Sequence, residues 1–236
     1  MMTSKSNLGI LFLHALPLDG SMWAAQRHLL PNSSYAPTLY GFGQSAEEWA
    51  AEALSIVKGK RLIVVGCSVG GSCALEVAAL APDRVAALIL IGTKARHRPD
   101  PEFREFALEE IAKGDRSGAW ATFWEPLFSK KADPTVIDAA RQAYVRLPKQ
   151  DILRGVNVFH TRRSRDDTLA AFPGPVVFVS GAEDIAPGPE KTAAQALTAQ
   201  DGMVEIIPDC GHYVPLEKPD QLSNIVRRVI YTLEVG

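Results

Sequence analysis

The sequence predicts an α/β fold: a mostly parallel, doubly wound sheet of about six strands with an inserted helical cap. Three observations predict it. Short β-branched runs alternate with helical patterns, as strands do with crossover helices in a parallel sheet. Four of these runs are almost continuously apolar, which suits strands covered on both faces. Residues 95–172 break the alternation with an unbroken helical reading, too much chain for one crossover.

The strands follow in order as LGILFL (8–13), a weaker YAPTL (35–39), RLIVVG (61–66), VAALILIG (85–92), PVVFVSG (175–181) and MVEIIP (203–208). Ser45 and Glu48 read as a capping box opening a helix, with Trp49, Ala53 and Val57 on one face and Gly59 as its stop. An alanine-rich helix runs from Gly70 to Leu80 and ends before Pro82. The cap predicts helices over 101–113, 118–128, 134–147 and 150–161, rich in Phe103, Phe106, Trp120, Phe123, Trp124, Phe128 and Tyr144. Most of these aromatics are expected to pack the cap onto itself, leaving a few for a pocket. The last helix carries Leu222, Ile225, Val226, Val229, Ile230 and Leu233 as a core-facing stripe. Without repeats or linkers, this reads as one domain: a core of 1–94 and 173–236 with the cap of 95–172 inserted.

Composition bounds the function. The 236 residues are 47% hydrophobic and 22% charged, which is ordinary globular usage. A formal net charge of −2 offers no attraction for nucleic acid or an anionic membrane. Cys67, Cys73 and Cys210 form no CxxC or Cys/His cluster, so thiols are expected and no metal. The early apolar run at 8–13 is shorter than a secretory apolar region, and nothing approaches a membrane span. The expectation is a soluble cytoplasmic protein.

The chemistry begins at GCSVG (66–70), a G-x-S-x-G directly after a strand and before a helix. Such a turn either presents Ser68 as a nucleophile or merely closes tightly; its partners decide. A serine hydroxyl needs a base. His28, His97 and His160 fall on helix or cap positions, and His14 follows the first strand. His212, in PDCGHYVPLEKP after the last strand, lies at the same sheet edge as Ser68 and is the best base by position. Asp184, in GAED after PVVFVSG, is the orienting acid, with Glu183 as the weaker alternative. The order Ser68, Asp184, His212 goes with a serine elbow on this architecture. The backbone N–H groups of Val69 and Leu16 are the candidate oxyanion hole, since Pro17 has none. His14 reads as a residue that fixes the loop.

The motifs LHALPLDGSMW (13–23), LYGFGQS (39–45), GCSVGG (66–71), GAED (181–184) and CGHYVPLEKP (210–219) together resemble the α/β-hydrolase superfamily along essentially the whole chain. They are most similar to small capped carboxylesterases of the pimeloyl-carrier-protein methyl esterase kind. That resemblance implies a Ser68–Asp184–His212 triad, an oxyanion hole at Leu16 and Val69, and no cofactor. Departures are visible: His14-Ala15 stands where relatives have His-Gly, TLYGFGQS replaces DLPGFGxS, and only seven residues precede the first strand. Serine at 68 argues against the aspartate-nucleophile dehalogenases and epoxide hydrolases of this fold. The missing HGGGPG-like loop lowers a carbon–carbon hydrolase reading.

The expected reaction is hydrolysis of a small-molecule ester through an acyl-enzyme. Short- to medium-chain apolar acyl groups are expected in a pocket lined by Met22, Trp23, Phe123 and Trp124. Lactonase, thioesterase and C–C hydrolase chemistry remain open on the same triad, as does a ligand receptor with little turnover. Lys94, Arg96, His97 and Arg98 form either a solvated basic turn or a hold for an acidic substrate or carrier protein.

Overall fold

A computed structural model describes residues 7–57 and 61–235. Its six strands are β1 (Leu8–Leu13), β2 (Ser34–Tyr35), β3 (Arg61–Cys67), β4 (Val85–Ile91), β5 (Pro175–Gly181) and β6 (Asp201–Ile207). They form one parallel sheet in the order β2-β1-β3-β4-β5-β6. The apolar runs of β1 and β4 are buried at every position, and β3 and β5 at all but the first. β2 is shorter than the predicted 35–39. Pro37 lacks an N–H for the ladder, and Leu39–Gly41 turns as a 3-10 segment.

Helix α1 (Ala46–Ile56) starts as predicted, with Ser45 Oγ accepting the Glu48 N–H at 3.2 Å. The reciprocal half of the capping box differs, because the Glu48 carboxylate accepts the N–H of Gln44 rather than of Ser45. Gly59, its predicted stop, lies outside the described residues. Helix α2 (Val69–Leu80) is buried from residue 69 to 78, and its small residues let it pack against β3, β4 and α1.

Five helices lie between β4 and β5: α3 (Pro101–Ala112), α4 (Arg116–Phe123), α5 (Pro134–Arg146), α6 (Lys149–Thr161) and α7 (Asp166–Ala171). The side chains of Asp100, Asp115 and Asp133 cap α3, α4 and α5. Proline opens α3 and α5, where its missing N–H costs nothing. Helix α4 stops at Phe123 instead of running to 128, since Pro126 cannot continue the hydrogen-bond ladder and 125–127 tightens into a 3-10 turn. The short α7 was not expected. Trp120 stacks on Tyr144 with ring centroids 5.9 Å apart, and Trp124 meets the same ring at 4.9 Å.

Helices α8 (Pro189–Ala196), α9 (Val214–Glu217) and α10 (Pro219–Val235) complete the fold, α10 burying Leu222, Ile225, Val226, Val229 and Ile230. The three cysteines are buried thiols. No helix among the described residues is long and apolar enough to cross a membrane.

Candidate active site

The chain leaves β1 toward β2 on one side and returns to β3 on the other, so the carboxyl ends of β1 and β3 border a crevice. The loops after β1, β3, β5 and β6 carry Leu16, Ser68, Asp184 and His212 respectively.

Ser68 occupies the cap position of α2 with φ 56° and ψ −119°, a conformation that L side chains rarely adopt. Its surroundings enforce it. The Ser68 N–H donates to the Ile91 carbonyl at 2.8 Å, and Thr93 Oγ1 donates to the Ser68 carbonyl at 2.8 Å. A Cβ at position 66 would sit 2.2 Å from the Gly70 carbonyl oxygen, and one at 70 would sit 2.1 Å from that of Leu13. The two glycines therefore let strand, turn and helix close around the serine, and bring the start of α2 against the loop after β1.

Asp184 and His212 are both buried. The imidazole Nδ1 lies 3.0 Å from Asp184 Oδ1, which also accepts the Ala186 N–H at 2.8 Å. Donation from Nδ1 to the carboxylate leaves Nε2 as the ring's acceptor. Both Ser68 and His212 line one cavity. Ser68 Oγ makes no hydrogen bond among the described residues, and such contacts commonly tighten only once substrate is bound. The His212 N–H donates to the Leu127 carbonyl at 2.8 Å. The Glu217 carboxylate accepts the N–H groups of Gly211 and Ser129, each at 3.1 Å. The insertion thus helps hold the histidine loop. Glu183 turns away and accepts the Lys130 N–H at 2.9 Å.

The loop after β1 is pinned from several sides. His14 Nε2 accepts the Leu39 N–H at 2.9 Å, Tyr213 Oη donates to the Leu16 carbonyl at 3.0 Å, and Tyr40 Oη donates to that of Leu18 at 2.7 Å. Burial lowers the His14 pKa to about 4, so at neutral pH the ring is uncharged and able to accept. Neither the Leu16 nor the Val69 N–H has an acceptor among the described residues. The first N–H groups of a helix have no partner within it, so Val69 is open to an anion.

The cavity has a volume of about 280 Å³. Phe123, Trp124 and Leu16 line it. Met22 and Trp23 do not, which corrects the pocket lining. Residues 20–23 form a 3-10 turn. That turn places Met22 Sδ 3.2 Å from the Ala15 N–H and buries Trp23 against Phe12. Sequence reasoning missed Val156, Phe159 and Arg162 on the cavity wall. The spacing of Ile152, Val156 and Phe159 on α6 is an apolar stripe that signalled part of this, whereas Arg162 sits in a run of charges that reads as solvated. Of the basic turn, Lys94 lines the cavity, while Arg96 is 67% exposed and pairs with Asp166 at 3.2 Å.

A serine raised on a strained turn, an imidazole oriented by a buried carboxylate and two open N–H groups can together perform nucleophilic acyl transfer. Residues 10–225 match the model of the alpha/beta hydrolase family. The chain belongs to the alpha/beta hydrolase family. It is 27% identical to Lipase LipV of Mycobacterium tuberculosis, over 92% of this chain and 91% of that one. It is 28% identical to a thermophilic esterase from Thermogutta terrifontis solved with malate bound, with a TM-score of 0.83 over 97% of this chain and 91% of the other. An enol-lactonase from Burkholderia xenovorans shares the fold, with a TM-score of 0.82 at 19% identity over 98% of this chain and 94% of that one.

Proposed function

We propose that this alpha/beta hydrolase is a serine carboxylesterase that works through an acyl-enzyme. The observation that carries the reading is the Asp184–His212 contact of 3.0 Å beside the strained Ser68 in one cavity. His212 Nε2 takes the Ser68 proton as Oγ attacks the ester carbonyl, then gives it to the departing alcohol. Asp184 holds the ring with Nδ1 protonated and stabilises the imidazolium. The Leu16 and Val69 N–H groups receive the oxyanion, a contribution of about 3–4 kcal/mol per donor. Water repeats the sequence on the acyl-enzyme and releases the acid, with no cofactor required.

The apolar walls at Phe123, Trp124 and Phe159 suit a short- to medium-chain acyl group on a small-molecule ester. The esterase and lipase relatives support ester chemistry. A series of p-nitrophenyl esters from acetate to decanoate, run beside simple lactones, tests the reading. Wild-type protein should hydrolyse the shorter esters, and Ser68→Ala should lose at least about a thousandfold in kcat. Near-wild-type esterase activity in Ser68→Ala would overturn it.

A further inference from the structure

Arg162 follows α6 and lines the Ser68 cavity with 6% of its surface exposed. Taking an unpaired cation out of water costs several kcal/mol, so buried guanidinium groups ordinarily face a carboxylate. Arg162 has no acidic partner among the described residues. Nη1 donates to the Phe159 carbonyl, and the guanidinium carbon lies 4.0 Å from the centroid of the Phe159 ring. Nε is buried without a hydrogen bond, and Nη2 makes none. The guanidinium therefore keeps donors that no group of the protein uses, and N–H groups of this kind pair well with carboxylate oxygens.

The acids on neighbouring elements are committed elsewhere. Asp166 pairs with Arg96, Glu76 with Arg165, and Asp100 Oδ1 accepts the Phe103 N–H at 3.0 Å to cap α3. Lys94 adds a second cation to the same cavity wall. Burial and the nearby Arg162 charge hold the Lys94 pKa below the usual lysine value, and burial brings that of Arg162 down to about 10. His160 adds no further charge at neutral pH, since burial and then Arg162 lower its pKa to about 4. The wall therefore keeps a positive charge at neutral pH that the protein does not neutralise.

We propose that Arg162, with Lys94 beside it, forms a carboxylate-binding subsite in the Ser68 cavity, making the preferred substrates esters that carry a free carboxylate. This rests on the serine-esterase reading and narrows its substrate class. A carboxylate entering the cavity meets the Arg162 guanidinium in an apolar setting, where a charge-assisted pair is stronger than in water. The basic group that matters is thus Arg162 rather than the exposed Arg96 or Arg98.

The test compares esters that differ by one charge. Mono-p-nitrophenyl glutarate against p-nitrophenyl valerate places the charge on the acyl side, and 4-acetoxybutyrate against butyl acetate places it on the alcohol side. In at least one pair the wild type should prefer the charged ester. In Arg162→Gln the charged-to-uncharged ratio of kcat/KM should fall by about 10- to 100-fold, mainly through KM, with partial recovery in Arg162→Lys. A purely structural role lowers both members alike, so a ratio constant to within about twofold in both pairs overturns the subsite. If Arg162→Gln does not fold, Lys94→Met gives the same reading in the same direction. Calorimetry with glutarate separates this proposal from the one beneath it. Glutarate binding that needs Arg162, without hydrolysis of any ester, removes the esterase reading and keeps the subsite. Hydrolysis of uncharged esters with an unmoved ratio and no glutarate binding does the reverse.

Discussion

Gly92 and His212 are in contact so close that a Cβ on the glycine would lie 2.7 Å from both Cε1 and Nδ1 of the imidazole. The same Cβ would lie 3.0 Å from Asp184 Oδ2, and Gly92 holds a left-handed φ of +53°. A side chain here must push the ring away from its carboxylate. Gly92→Ala is predicted to lower kcat by about a hundredfold or more, as misplacements of about 1 Å do, with a much smaller change in KM. Steady-state kinetics on one p-nitrophenyl ester reads both constants, and an unchanged kcat counts against an essential His212 geometry.

The two adjacent acids make opposite contacts, and their variants should separate accordingly. Asp184 meets the imidazole, while Glu183 accepts the Lys130 N–H. Asp184→Asn is expected to cost about 10⁴ in kcat by stabilising the wrong imidazole tautomer. Glu183→Gln retains an acceptor for Lys130 and should stay within a few fold of wild type. Comparable losses in both variants would argue for a shared or exchanged acid.

Stability of the insertion on the core should depend on one ion pair. Glu76 on α2 has a side chain only 2% exposed, and Arg165, just before α7, meets it through Nε at 2.8 Å and through Nη2 as well. Arg165→Met strands a buried carboxylate and should destabilise the protein by about 3–5 kcal/mol. Glu76→Gln leaves a cation with access to water and should cost less. Urea denaturation measures both, and the reverse ranking would contradict the assignment.

Acid should weaken the fold partly through His14. Its pKa is about 4 in the folded protein and 6.5 for the unperturbed side chain. Between those values the unfolded chain binds a proton that the folded chain refuses, so stability falls as pH drops from about 6.5 to about 4. The complete loss is on the order of 3 kcal/mol. His14→Asn retains an acceptor for the Leu39 N–H without the titration. Its urea midpoint should fall less than that of wild type between about pH 7 and about pH 4.5. Some slope should remain, because His160 has a similarly lowered pKa of about 4. Identical slopes would remove His14 as a contributor.

The strands and the serine turn were legible in the sequence because local rules specify them. Continuous apolar runs require a sheet buried on both faces, and glycines at 66 and 70 are the residues that a crowded strand-to-helix turn demands. Asp184 and His212 were legible because the topology sends every strand's carboxyl end to one edge. The pocket lining was harder, since it depends on which side chains tertiary packing turns inward. Trp23 follows the same loop as Leu16, yet the 3-10 turn swings it under the sheet against Phe12. Arg162 lies in TRRSRDD, where nothing local distinguishes a buried guanidinium from its solvated neighbours.

The central claim is that Ser68 carries the acyl group, and covalent trapping tests it most directly. Wild-type protein treated with a fluorophosphonate should lose esterase activity in step with one adduct per chain. Peptide mass spectrometry should place that adduct on Ser68, and Ser68→Ala should take up none. Inactivation with Ser68 unmodified, or activity retained after Ser68 is fully labelled, would contradict the account.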